Sequence, residues 1–238
     1  MSKRIFQSFL DLIYPPLCLH CNAALGVHYA IFCEHCTQLL HPIAPNERCP
    51  YCFSADLNVE SEKCCQNCRQ KTPSTDRMAA VFDYEGPAAS FVKHFKYGGQ
   101  SYLAKGAGAY LVMQFLELNW PMPDCVIPMP MAPLRLFERG YNQSVLLAEE
   151  VALLLNRPMH NILQRCGGDF SQAGLNHQQR LELRSEAFSV KAKVSLYDQT
   201  VLLIDDVMTT GSSLRCCAEV LQELCPQHIY ALTLCRAL

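Results

Sequence analysis

No run in the 238-residue sequence reaches the ~18 uninterrupted apolar residues that a membrane-spanning helix needs, so membrane insertion is not expected. Neither sign of charge is in excess: 20 Lys and Arg stand against 22 Asp and Glu, a net charge of −2. That balance provides no global footprint for a polyanion or an anionic surface. One Trp and 9% aromatic residues leave little for a general base-stacking surface. The first sixteen residues lack the apolar core of a secretory signal, having Asp11 and the pair Pro15-Pro16 there instead, so a cytoplasmic protein is expected. Gly-x-x-x-x-Gly-Lys and Gly-x-Gly-x-x-Gly are both absent, which excludes a P-loop and a dinucleotide fingerprint. Low-complexity tracts are absent too.

What is abundant is cysteine, fifteen in all, nine of them between Cys18 and Cys68. In a reducing compartment, clustered Cys-x-x-Cys pairs read as metal ligands rather than disulfides. Four such pairs occur: Cys18/Cys21, Cys33/Cys36, Cys49/Cys52 and Cys65/Cys68. A Cys-x-x-Cys knuckle presents two thiolates to one ion, and two knuckles complete a closed tetrahedral zinc shell, so four pairs predict two structural zinc ions. Consecutive pairing gives two ribbon-like sites and alternating pairing a cross-braced module. Spacing does not choose between them, although the consecutive arrangement is favoured. Cys64 adjoins Cys65, and the spacing to Cys68 selects Cys65. His20 and His35 lie inside complete knuckles and are read as non-ligating.

Near residue 75 the character changes, giving a double zinc-ribbon module over 1–75 and a second domain over 76–238. Strands are expected at Met78 to Tyr84, Asp124 to Pro128, Thr200 to Ile204 and His228 to Leu234. Helices are expected at Ser90 to Tyr97, Tyr102 to Leu118, Gln143 to Leu155 and Ser212 to Leu224. Strands alternating with helices imply an α/β fold with a parallel sheet flanked by helices. The polar stretch Cys166 to Ala187 has no apolar period and reads as a long loop of the kind that forms lids.

The segment Val201 to Ser213 holds the most chemistry: a buried strand ends in Asp205 and Asp206, then Thr209, Thr210, Gly211, Ser212 and Ser213 lead into a helix. Backbone N–H groups of such a loop, with the positive end of the helix, form a concave site for a phosphate. The hydroxyls add donors, and Gly211 permits a positive φ or a close approach of the ligand. Adjacent acids at the carboxyl end of a parallel strand can accept hydrogen bonds from vicinal sugar hydroxyls.

These thirteen residues resemble the phosphoribosyl pyrophosphate (PRPP) motif of type I phosphoribosyltransferases. The order of zinc knuckles, Lys96-Tyr97, Pro128-Met-Pro130, Arg139-Gly-Tyr-Asn-Gln143, Gln172, Arg180 and the PRPP motif is similar to that of the ComF family, over nearly the whole chain. That family includes GntX-like proteins and is associated with competence and the use of external DNA. The resemblance implies PRPP binding by Asp205, Asp206, Thr209, Thr210, Gly211, Ser212, Ser213, Lys96 and Asn142. It places a diphosphate-contacting loop at Pro128 to Asn142 and gives a catalytic part to Asp205, Asp206, Arg139 and Arg180. Arg180 sits in a hood expected to close over the sugar. Mg²⁺ bound with PRPP is expected, as is displacement of pyrophosphate from C1 of the ribose. The alternative is a non-catalytic PRPP sensor or DNA-uptake adaptor whose zinc module docks single-stranded DNA or a protein.

Overall fold

A computed structural model describes residues 16–26, 30–56, 64–70, 74–166, 187–191 and 194–237. The first described segments hold two short helices, α1 (Glu34–Gln38) and α2 (Gln66–Gln70), with a 3₁₀ turn at Pro45–Glu47 between them. Next come β1 (Arg77–Asp83), α3 (Gly86–Tyr97), a 3₁₀ turn at Ser101–Leu103, α4 (Ala104–Glu117) and β2 (Cys125–Pro128). The chain continues through α5 (Pro133–Arg139), α6 (Gln143–Leu155), β3 (Leu163–Arg165), β4 (Phe188–Val190), β5 (Thr200–Met208), α7 (Ser212–Gln222) and β6 (His228–Arg236).

Four strands form a wholly parallel sheet in the order β1-β6-β5-β2, while β3 and β4 pair antiparallel by themselves. The protein is thus mixed α/β, as the alternation of strands and helices predicts. Strands β1 and β5 carry continuous apolar runs, Met78 to Phe82 and Val201 to Ile204, because a sheet covered on both faces has no solvent-facing positions. Helices α4 and α6 pack against each other, α4 lying on β1 and β6, and α6 on β2 and β5.

Three differences from the expected elements bear on the site. β5 runs past Ile204 to Met208, because β6 continues to pair with it as far as Met208↔Arg236. The segment after β2 is not all loop but contains α5, started by Pro133 and ended by Gly140 in the left-handed region at φ 79°. α3 begins at Gly86, with Pro87 in its first turn. The stretch 167–186, with Gln172, His177 and Arg180, lies outside the described residues.

The cysteine-rich segment is bound to the sheet. Ile43 N donates to Val81 O at 2.8 Å, Gln114 Nε2 donates to Ile43 O at 2.9 Å, and Phe53 is buried in the main core.

Candidate functional site

The sheet positions the loop Thr209 to Ser213 by ending one strand before its neighbour. β2 pairs with β5 only as far as Pro128↔Ile204, so Asp205 to Met208 keep a partner on the β6 side and an open edge on the other. Open α/β sheets place ligands at this carboxyl end. Beyond Met208, Thr209 and Thr210 are exposed and Gly211, at φ 72°, is the N-cap of α7 with no side-chain cap. The first-turn N–H groups of α7 therefore face the loop with no cap from residue 211, Ser212 N donating to Thr210 Oγ1 at 3.4 Å. Thr210 Oγ1 and Ser212 Oγ lie 2.8 Å apart, and the Arg215 guanidinium donates to Thr210 O. A Cβ at Gly211 would lie 2.9 Å from Met78 Sδ, so the position demands glycine for space as well as for φ.

The two acids have different partners. Asp205 Oδ1 accepts from Ser144 Oγ at 2.7 Å and from Asp206 N at 2.9 Å. Asp206 Oδ1 is paired with Lys96 Nζ at 3.0 Å, from the last turn of α3. Burial, with the neighbouring Asp206 charge adding to it, pushes the Asp205 carboxyl up to about 7. One acid is held by a cation while the other sits near the point of protonation at neutral pH.

Both acids face a cavity of about 210 Å³ that also collects Lys96, Arg135, Arg139, Asn142, Arg165 and Ser213. Four basic side chains against two acids make it a place for a polyanion. Lys96, Arg139, Asn142, Asp205, Asp206 and Ser213, all expected from the sequence, thus line one space, and Thr209 to Ser212 form the loop leading to Ser213. Arg139 donates to Gln143 Oε1 at 3.2 Å and to Tyr97 Oη at 3.3 Å, its guanidinium 4.9 Å from the Tyr97 ring centroid. Asn142 is the N-cap of α6: Oδ1 accepts from Ser144 N at 3.0 Å, and Nδ2 donates to Met129 O at 2.9 Å. Its polar atoms are therefore committed to holding the segment after β2. Ser144 and Arg165 are not among the residues expected from the sequence. Ser144 has only its place two residues after a capping Asn as a signal, and Arg165 none.

The eight expected cysteines form two groups, Cys18, Cys21, Cys33 and Cys36, and Cys49, Cys52, Cys65 and Cys68, the sulfur atoms in each lying within 4.8 Å of one another. The pairing is consecutive. Cys65 N donates to Cys49 Sγ at 3.4 Å, and the hydrogen bond with Cys52, outweighing burial, draws the Cys49 thiol down to about 4. Preformed four-sulfur sets with N–H···S support fit the closed tetrahedral shell of structural zinc. Neither His20 nor His35 joins a cluster, and His20 Nδ1 instead lies 2.8 Å from Ser90 Oγ on α3.

No helix among the described residues is long and apolar enough to cross a membrane. No family model matches the chain. It aligns with a purine phosphoribosyltransferase from Pyrococcus horikoshii at a TM-score of 0.37 and 16% identity, over 55% of this chain and 80% of that one. It is 26% identical over 232 residues to DNA utilization protein YhgH of Escherichia coli O6:H1, covering 95% of this chain and all of that protein. With Competence protein F of Haemophilus influenzae it shares 28% identity over 228 residues, 92% of this chain and 96% of that protein. The chain is therefore a homologue, over nearly its whole length, of proteins named Competence protein F and DNA utilization protein YhgH.

Proposed function

We propose that the chain binds PRPP with Mg²⁺ and acts as a phosphoribosyltransferase-like protein of DNA uptake and use in the cytoplasm. In this reading residues 76–238 hold the sugar diphosphate, and residues 1–75 form a module with one zinc ion in each cysteine cluster. The observation that carries the reading is the joint placement of the glycine-turned loop Thr209 to Ser213, the open-edged acids Asp205 and Asp206, and four cationic side chains around one cavity.

The loop amides and hydroxyls take the 5-phosphate. Asp205 and Asp206 accept from the ribose hydroxyls, with Ser144 fixing the Asp205 carboxyl. Lys96, Arg139 and the segment held by Asn142 face the diphosphate. Asp205 and Asp206, the carboxylates on the cavity, would help to hold a Mg²⁺ ion bound with the substrate, and that ion would supply charge neutralisation for the leaving diphosphate. In transfer, the C1–O bond to pyrophosphate breaks with its electron pair leaving on the diphosphate, and an acceptor bonds to C1. The competence and DNA-use assignment comes from the relatives' names.

Equilibrium dialysis of labelled PRPP, with ribose 5-phosphate and pyrophosphate as separate competitors, tests the reading. Competition by both halves is expected. Competition by pyrophosphate alone removes the loop and the acids from the site. A pyrophosphate-release assay with nucleobase, nucleotide and single-stranded DNA acceptors then separates a transferase from a PRPP sensor.

A further inference from the structure

The second cysteine cluster is tied into the sheet through its backbone. Two successive carbonyls of its first knuckle are taken up by strands: Met78 N on β1 donates to Tyr51 O at 2.9 Å, and Arg236 Nη1 on β6 donates to Cys52 O at 2.9 Å. Arg48, just before the knuckle, pairs with Asp83 at 2.6 Å, and Asp83 is the register partner of Arg236. Phe53, just after it, is left-handed at φ 59° and buried in the main core.

The same residues hold the phosphate loop. Arg236 lies opposite Met208, Ala237 N donates to Met208 O at 2.8 Å, and the loop starts at the next residue. Met78, whose amide is bonded to the knuckle, carries the sulfur against which Gly211 rests.

Charge points the same way. Arg236 is 8% exposed, and its Nε has no hydrogen-bond partner among the described residues; nor do the buried Arg48 Nη1 and Asp83 Oδ1. Two guanidinium groups against one carboxylate leave a net positive charge in a largely buried place, where a lone charge is unfavourable. A divalent ion in four thiolates is a dianion, and the Cys52 carbonyl puts that dianion directly beside Arg236.

We infer that Arg236 is a positioning residue coupling the metal-loaded second cluster to the phosphate loop, so that loading of Cys49, Cys52, Cys65 and Cys68 sets the loop's order and its affinity for a phosphate-bearing ligand. The identity of that ligand rests on the proposed PRPP reading; the link between cluster and loop does not. The first cluster meets α3 through His20 and Ser90 and has no corresponding bond to the loop-bearing strand ends among the described residues.

The test compares wild type, Arg236→Met, Arg236→Lys and a Cys21→Ser, Cys33→Ser variant, reading zinc per chain, hydrogen exchange of the 207–214 peptide, and PRPP titration with Mg²⁺. Arg236→Met is expected to keep its zinc while loop exchange accelerates and PRPP affinity falls roughly tenfold, within the usual range of coupling between sites. Arg236→Lys is expected to recover part of both losses. The Cys21→Ser, Cys33→Ser chain, with metal only in the second cluster, is expected to keep wild-type loop exchange until a chelator withdraws that metal. This arm decides the question even where Arg236→Met does not fold. Unchanged loop exchange in Arg236→Met, or in the chelated double variant, overturns the inference. Failure of wild type to bind PRPP removes the ligand reading and leaves the exchange result to stand alone.

Discussion

Replacing Gly211 with alanine puts two separate penalties on the loop Thr209 to Ser213. At φ 72° an L residue is strained, by about 1–2 kcal/mol. The added Cβ also falls 2.9 Å from Met78 Sδ, 3.4 Å from Met208 Sδ and 3.5 Å from Arg215 Nη1, and Met78 is buried, only 1% exposed. Forcing a methyl group into such a site adds about 1–3 kcal/mol, for a total loss of about 2–5 kcal/mol. Two other glycines isolate the contributions. Gly99, at φ 63° with nothing near its Cβ position, should show the strain alone, about 1–2 kcal/mol. Gly106, within α4 and with only Ile31 at 4.0 Å, should gain up to about 1 kcal/mol from the better helix former. Urea unfolding of the three variants at fixed zinc, compared at constant m-value, gives the ranking directly. Equal losses for Gly211→Ala and Gly99→Ala would show that Met78 does not hold the loop and would refute the reasoning.

Asp205 titrates near 7 in the fold but near 3.8 when unfolded, so the folded chain keeps this proton to higher pH, and its contribution to stability declines between those values and is level above 7. Asp205→Asn should therefore be more stable than wild type at pH 8, by about 1–3 kcal/mol, with the gain gone below pH 4, as thermal melts across pH would record. Asn142→Ala should lose about 1–2 kcal/mol through the α6 cap, and Asn142→Asp, which keeps the acceptor for Ser144 N, should lose less by the same melts. Metal analysis should find two zinc ions per chain, falling to one in Cys18→Ser and in Cys49→Ser; one ion in wild type contradicts the two-cluster reading.

The legible parts of the fold are those where a local signal and the tertiary demand agree. α6 occupies Gln143 to Leu155 as read, because Asn142 caps it and a buried stripe of Leu147, Ala148, Val151 and Leu155 packs it onto α4 and the sheet. β5 outruns its expected end at Ile204 because Asp205 and Asp206 look like the end of an apolar run, whereas β6 carries the pairing on to Met208. α5 gave no sign of itself because Leu134, Leu136 and Phe137 are exposed, so it has no core-facing stripe and rests on Pro133 and Gly140. At the site, the loop and the acids could be read because they are contiguous in sequence. Ser144 and Arg165 reach the same cavity from elements far along the chain, and only the fold brings them there. The cysteine pairing is not legible in the sequence for the same reason, since equal spacing serves both arrangements and the distances between sulfurs decide.

The central claim is tested most directly by calorimetric titration of PRPP with Mg²⁺ into wild type and into an Asp205→Ala, Asp206→Ala variant, each with its zinc content and fold verified. Saturable binding to wild type, lost in the variant, is the predicted result. An absence of binding to wild type, or equal binding to both, would contradict the assignment of this cavity to PRPP.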